Sequence, residues 1–146
     1  MADDRPPLRR DVIVDTARRL VAQDGLDALS LRRIAAELGV TAPALYAHVA
    51  DKESLVRAVA DAEFDRLVAR FERCDAPDPV DRVKAHGRTY VEHARQAPEL
   101  FRSMSRYPPE LVPVDVPDTA RLPGASRAFG VAFGAVAAGY ETGTIG

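Results

Sequence analysis

The chain has 146 residues, of which 47% are hydrophobic and 29% charged, which excludes a disordered chain and fits one ordinary domain or two small ones. The formal net charge is −2, so any contact with nucleic acid must come from a local patch and not from the field of the whole chain. The single cysteine, Cys74, excludes an internal disulfide bond and a cysteine metal cluster, and it suits the reducing cytoplasm.

The N-terminal part of the chain is predicted to form short helices that end at glycines. MADDRPPLRR lacks the apolar core of a targeting segment. The segment RRDVIVDTARRLVAQDG places four apolar residues on one face of a first helix, with Gly25 where that helix should stop. These four residues are Ile13, Ala17, Leu20 and Val21.

Three further helices follow in close succession. Ser30 can cap the second helix, SLRRIAAELG, and Gly39 ends it. Thr41 can cap a third helix, with Pro43 in its first turn, where a missing N–H costs nothing. Asp51 can cap a fourth helix that runs to about Arg73. The segment CDAPDP, residues 74–79, then breaks the chain and is a candidate boundary between an N-terminal module and the rest.

The second part of the chain is predicted to contain three more helices. A fifth runs from about Val80 to Gln96, and Pro98 begins a short sixth. Residues 107–124 hold five prolines and are predicted to form a long irregular connection. The longest apolar run, FGVAFGAVAAGY, is too short to span a bilayer and indicates a buried seventh helix, with membrane insertion a remote alternative. No strand pattern is visible, so the predicted fold class is all-α.

Helices two and three are joined by about three residues around Gly39, which is the spacing of a helix-turn-helix motif. In this motif the second helix lies in the DNA major groove, and its first residues face the base edges. Leu45 and Val49 are predicted to point inward. The base-facing candidates are the small residues Thr41, Ala42, Pro43 and Ala44.

The candidate phosphate contacts surround this helix. Tyr46 and His48 flank the inward residues, and both side chains can donate to phosphate oxygens. Lys52 lies in the first turn of helix four, where its charge adds to the positive end of the helix dipole. Arg32 and Arg33 could reach the flanking DNA backbone. Contacts with DNA phosphates position a protein on DNA without reading the base sequence. Alternatively, these are ordinary surface residues.

The segment LSLRRIAAELGVTAPALYAHVADKESLVRAV, residues 29–59, resembles the DNA-binding domain of TetR-family transcriptional regulators. The resemblance implies phosphate contacts by Tyr46, His48 and Lys52, and base contacts by residues 41–44. Val49 stands where many relatives have phenylalanine. The residues that carry the match are Ile34, Ala35, Gly39, Val40, Leu45, Tyr46, His48, Lys52 and Leu55.

Residues 78–104 are similar to the ligand-binding domain of the subgroup named for a Trp-His-Gly motif, although this chain contains no tryptophan. The resemblance implies domains at 1–55 and 56–146, connected by helix four at about 51–73. It also implies a homodimer built on two further helices. A chain that stops at Gly146 is expected to hold a partial domain and to dimerise poorly. The predicted ligand-pocket residues are His86, Tyr90, Phe101, Met104, Phe129 and Phe133, which are alternatively plain core residues.

The sequence therefore predicts a cytoplasmic, ligand-responsive transcriptional regulator, a repressor, that binds a palindromic operator in double-stranded DNA as a dimer. The alternative is a helical small-molecule or protein-binding module without DNA function, because residues 1–60 carry nine Lys/Arg and nine Asp/Glu. A gel shift with the DNA flanking its own gene would separate the two. No nucleophile motif or phosphate loop is visible, so no enzyme, cofactor or metal is predicted; the spacing of His86 and His93 is too wide for a simple metal pair.

Overall fold

The computed structural model describes residues 7–107 and 122–145, and within these ranges the predicted all-α fold is confirmed. No strand occurs in the described ranges, and one 3₁₀ turn, Leu26–Ala28, lies between the first two helices. The helices are α1 (Arg10–Asp24), α2 (Leu31–Leu38), α3 (Ala42–Tyr46), α4 (Lys52–Glu72), α5 (Pro79–Gln96), α6 (Pro98–Met104) and α7 (Pro123–Glu141). The predicted proline-rich connection lies largely outside the described residues.

The chain divides into two compact units, the first ending at Val59 and the second beginning at Ala60, so that the division falls inside α4. The sequence placed the domain boundary between residues 55 and 56, which also lie in α4. The break at residues 74–79 joins α4 to α5 within the second unit. It is therefore a connection inside that unit.

The first unit is held together by the apolar face of α1. Its four predicted inward residues, at positions 13, 17, 20 and 21, are all buried. Gly25 ends α1 with a positive φ of 84°, and its N–H donates to the Val21 carbonyl at 2.9 Å. The 3₁₀ turn that follows was not predicted, and it positions Leu29, which is buried beside α2. Three residues were too few to show a helical period.

In the second unit α5 packs against α6 and α7. The first turn of α7 lies close to α4, because the Gly124 N–H donates to Oδ1 of Asp61 at 2.8 Å. A Cβ at position 124 would stand 2.6 Å from that oxygen and 2.8 Å from Cβ of Phe64. Only glycine fits this approach without a shift of the backbone or of Phe64. Arg127 and Asp65 form an exposed ion pair beside it.

A buried polar pair links α4 to α5. Glu63 is 1% exposed, and Oε2 of its carboxylate lies 3.3 Å from Nε2 of the buried His93. Nδ1 of His93 lies 3.4 Å from Nη1 of Arg70, which also forms an ion pair with Glu92 at 3.1 Å. Two polar groups that are shielded from water thus face each other between α4 and α5.

None of the helices in residues 7–107 and 122–145 combines the length and the apolar character that a membrane span requires. Phe133 and Tyr140 of α7 are nevertheless exposed large apolar residues.

Candidate nucleic-acid interface and ligand cleft

The turn between α2 and α3 is built by local hydrogen bonds. Ser30 caps α2 as predicted, since its Oγ accepts from the Arg33 N–H at 3.1 Å. Gly39 ends α2 in the left-handed region at φ 65°, which favours glycine. The Val40 N–H then donates to the Ala35 carbonyl at 3.0 Å. This Gly-terminated turn reverses the chain within three residues and starts α3 at Ala42.

One part of the predicted geometry of α3 is wrong. Thr41 occupies the N-cap position but its side chain makes no cap hydrogen bond; only its carbonyl takes part, accepting from the Ala44 N–H at 3.1 Å. Leu45 and Val49 are buried as predicted, at 0% and 3% exposure. The helix is therefore anchored by these two side chains.

The base-facing candidates divide by exposure. Thr41 and Pro43 are exposed, whereas Ala42 and Ala44 are half-buried. Thr41 and Pro43 thus present the outer surface of the first turn of α3. The two alanines have no side-chain atoms beyond Cβ. No long side chain at these positions therefore keeps the helix backbone away from a partner that contacts this surface.

The three candidate phosphate-contacting residues at the end of α3 and after it are all exposed. Tyr46, at 56% exposure, is the last residue of α3, and His48 and Lys52 follow it. Lys52 begins α4, but the positive end of that helix is already engaged. The Ser54 N–H donates to Oδ1 of Asp51 at 2.7 Å, and the Asp51 N–H donates to Oγ of Ser54 at 3.1 Å. Hydrogen bonds from the Ser54 backbone N–H and from the Ser54 side chain lower the pKa of the Asp51 carboxyl, so a negative charge stands next to Lys52.

The two arginines of α2 differ. Arg32 is exposed, whereas Arg33 is half-buried and forms an ion pair with Asp24 at the end of α1. Arg19 pairs in the same way with Glu37 at 2.7 Å. Both pairs join α1 to α2. Arg33 would have to leave Asp24 to contact a phosphate, whereas Arg32 has no ion-pair partner among the described residues.

The second unit contains a cleft of about 370 Å³ between α4, α5 and α7. Four of the six predicted pocket residues, His86, Tyr90, Phe129 and Phe133, line it. Met104 and Phe101 are not part of its wall; Met104 is buried, and Phe101 packs edge-on against Tyr90 at a centroid distance of 5.1 Å. The prediction did not include Leu67 and Phe71 of α4, which also line the cleft. Their i, i+4 spacing showed a shared face, but only the packing of α4 against α5 and α7 shows what that face meets.

His86 is the buried polar group of this wall. Its ring packs against that of Phe71 at a centroid distance of 4.8 Å, and its Nδ1 is buried without a hydrogen-bond partner. Burial lowers the pKa of the imidazole from its ordinary value of 6.5, against the opposing effect of a hydrogen bond to the Phe71 backbone. His86 is therefore neutral at pH 7. In the described ranges no group of three or more His, Cys, Asp or Glu side chains could hold a metal.

Residues 13–59 match the family model of bacterial regulatory proteins of the tetR family, and they include α1 from Ile13 onward, α2, α3 and the start of α4. This segment of the chain belongs to the TetR family. The chain is also 43% identical over 63 residues to the HTH-type transcriptional repressor ComR of Escherichia coli, which is 43% of this chain and 30% of ComR. The chain spans less than half the length of the curated relatives it matches.

Solved structures extend the similarity beyond residues 13–59. A protein of unknown function from Rhodococcus sp. RHA1 matches all of the chain over 75% of its own length, with a TM-score of 0.81 and 26% identity. The TetR-family protein ActR of Streptomyces coelicolor, solved in complex with actinorhodin, matches 92% of the chain over 57% of ActR, with a TM-score of 0.66 and 26% identity.

The lowered pKa of His86 predicts how the stability of this TetR-family chain depends on pH. As the pH falls below 6.5, the unfolded chain binds a proton at this position before the folded chain does, so the free energy of unfolding should decrease. The decrease continues until the pH passes the folded pKa. Urea unfolding from neutral to mildly acidic pH should show this loss, and His86→Phe should lose less stability over the same range. An equal loss in the variant would show that other groups cause it.

Proposed function

We propose that this TetR-family chain is a ligand-responsive transcriptional repressor that binds a palindromic operator as a dimer in the cytoplasm. The observation that carries the proposal is the turn at Gly39, with α3 anchored by buried Leu45 and its outer surface free. Two of its relatives, ComR and the class D tetracycline repressor of Escherichia coli, are transcriptional repressors, which supports this role and not an enzymatic one.

In this proposal α3 enters the major groove and residues 41–44 face the base edges. With no charged side chain in this set, recognition there depends on apolar contact, for example with a thymine methyl group, and on the hydroxyl of Thr41. Tyr46, His48 and Lys52 contact phosphates on one side of the helix. Arg32 is the better placed of the two α2 arginines, because Arg33 is paired with Asp24.

The proposed ligand site is the cleft of the second unit. ActR, which shares the fold of this chain, is solved with a bound actinorhodin, and this supports a small-molecule site in the helical second part. The helix α4 carries Lys52 at its start and the cleft residues Leu67 and Phe71 near its end. A ligand that binds one position of α4 more tightly than another would shift the population of DNA-binding chains.

A gel shift with the DNA that flanks its own gene tests the proposal, with random DNA of equal length as competitor. We expect a complex that survives a large excess of the competitor. Because one helix-turn-helix unit reads one half-site, a dimer should bind a fragment with two half-sites far more tightly than a fragment with one. Equal affinity for flanking and random DNA would contradict the operator-binding role, and equal affinity for one and two half-sites would contradict the dimer.

Replacing Lys52 with alanine should weaken binding to operator and random DNA nearly alike, because phosphate contacts carry no sequence information. Loss of one cationic contact should reduce the slope of log affinity against log salt by roughly one unit. Salt titrations of wild type and variant on both DNAs measure this. If Lys52→Ala changed operator preference but left random-DNA affinity intact, the phosphate assignment would be wrong.

A further inference from the structure

The cleft in the second unit has features that specify the chemistry of its ligand. Five of its lining side chains are rings, from Phe71, His86, Tyr90, Phe129 and Phe133. Among the residues that the structure describes, no Asp, Glu, Lys or Arg lines it. An ionised ligand would therefore lose its hydration without gaining a charged partner, which is costly. The wall favours a neutral molecule with a planar aromatic body, since aromatic rings pack well in offset or edge-on arrangements.

His86 supplies the polar feature of this wall. A hydrogen bond links its imidazole to the Phe71 backbone, and Nδ1 of the ring is buried without a hydrogen-bond partner. In a neutral imidazole with the proton on Nε2, Nδ1 is a hydrogen-bond acceptor. A buried acceptor without a partner lowers stability, and a ligand that donates to it removes that cost. His86 is part of the cleft wall, so its imidazole lies beside the space that a ligand would fill.

We propose that the cleft binds a neutral aromatic small molecule that carries a hydrogen-bond donor, a phenolic hydroxyl or a ring N–H, and donates it to the imidazole of His86. This rests on the proposed function, because it specifies the ligand of the same regulatory site. The volume of about 370 Å³ lies at the small end of the range for ligand sites. A molecule of a few fused or linked rings suits that size.

Gly87 offers a way to fill the cleft without disturbing the fold. It lies inside α5 on the cleft wall, and an added Cβ would meet no atom within 4 Å. A larger side chain there should occupy the space that a ligand needs. Gly134 is the matched control, because it lies inside α7, is equally unobstructed, and is not part of the wall.

Three probes with one ring system test the proposal on the full chain. 2-Naphthol carries a hydroxyl donor, 2-methoxynaphthalene has the same rings without a donor, and 2-naphthoate carries a negative charge. Titrations followed by calorimetry or by ligand-observed NMR should show 2-naphthol binding about tenfold more tightly than 2-methoxynaphthalene, as for one hydrogen bond to a buried acceptor. 2-Naphthoate should bind more weakly than either.

Two variants assign the site. His86→Phe should bind 2-naphthol about tenfold more weakly and leave 2-methoxynaphthalene nearly unchanged. Gly87→Leu should weaken both neutral probes, and Gly134→Leu should weaken neither. Equal binding of the two neutral probes by the wild type, tightest binding of 2-naphthoate, or no binding of any probe by the folded chain would each overturn the proposal. So would a Gly87→Leu variant that binds as the wild type does.

DNA binding measured on the same samples keeps this proposal separate from the proposed function. If the probes bind as expected to a chain with no operator affinity, the proposed ligand class is supported and the proposed regulator function is wrong. If the chain binds the operator but none of the three probes, the proposed DNA-binding role is supported and the proposed ligand class is wrong.

Discussion

Replacing Pro43 with glutamate is expected to abolish specific DNA binding while leaving the fold intact. Pro43 is exposed in the first turn of α3, where a negative charge is favourable for the helix itself. The free energy of unfolding should therefore change by no more than about 0.5 kcal/mol, as for an ordinary surface substitution. If α3 lies in the major groove, the same charge stands between phosphates without a partner, and like-charge contacts of this kind cost several kcal/mol. Affinity for the operator should fall by at least about 100-fold.

Two control variants show whether the loss of DNA affinity comes from the position of the substitution or from the added charge. Pro43→Ala removes the apolar contact without adding charge and should weaken binding by about tenfold or less. Gln23→Glu adds the same charge at an exposed position near the end of α1 and should have little effect. Fluorescence anisotropy with labelled operator measures all three affinities, and thermal melts check the fold. A folded Pro43→Glu chain with wild-type affinity would remove α3 from the groove.

Replacing Glu63 with alanine is expected to destabilise the second unit by about 3 kcal/mol, the range seen when one member of a buried polar pair is removed. The carboxylate is 1% exposed and lies 3.3 Å from Nε2 of His93. Its loss leaves that nitrogen buried without a carboxylate and opens a space between α4 and α5. Urea unfolding followed by far-UV circular dichroism measures the change.

Asp65→Ala is the matched control, since Asp65 is an acidic residue on the same helix with an arginine partner. Its ion pair with Arg127 is exposed on both sides, at 56% and 50%, so water and salt screen it. The expected loss is about 0–1 kcal/mol. If the two variants lost equal stability, burial would not be what makes the Glu63 pair important.

The sequence predicted most of the local structure because the signals are local. Ser30, Gly39 and Asp51 set helix ends through hydrogen bonds within a few residues, and all three act as predicted. The burial of Leu45 and Val49 followed from helical period alone. The prediction that Thr41 caps α3 is wrong, because a residue that is able to cap a helix does not have to direct its side chain toward the helix N–H groups.

The ligand cleft was only partly predicted, because its wall is made of faces that are distant in the sequence. The fifth and seventh helices supplied His86, Tyr90, Phe129 and Phe133, whereas the contribution of Leu67 and Phe71 required α4 to be packed against both. Phe101 and Met104 are equally apolar, yet they face other neighbours. The spacing of apolar residues in the sequence predicts that a side chain is buried, but it does not predict which cavity that side chain lines.

The sequence by itself determined the family, the all-α fold and the order of the helices, since each depends on caps, glycines and a period of 3.6 residues. Only the tertiary structure decided which charges and polar groups remain free to act. Arg33 is engaged by Asp24, whereas Nδ1 of His86 is left without a partner at the wall of the cleft. The physical reason is that hydrogen bonds and ion pairs depend on distances of a few ångströms between groups far apart in the chain, and no local pattern fixes those distances.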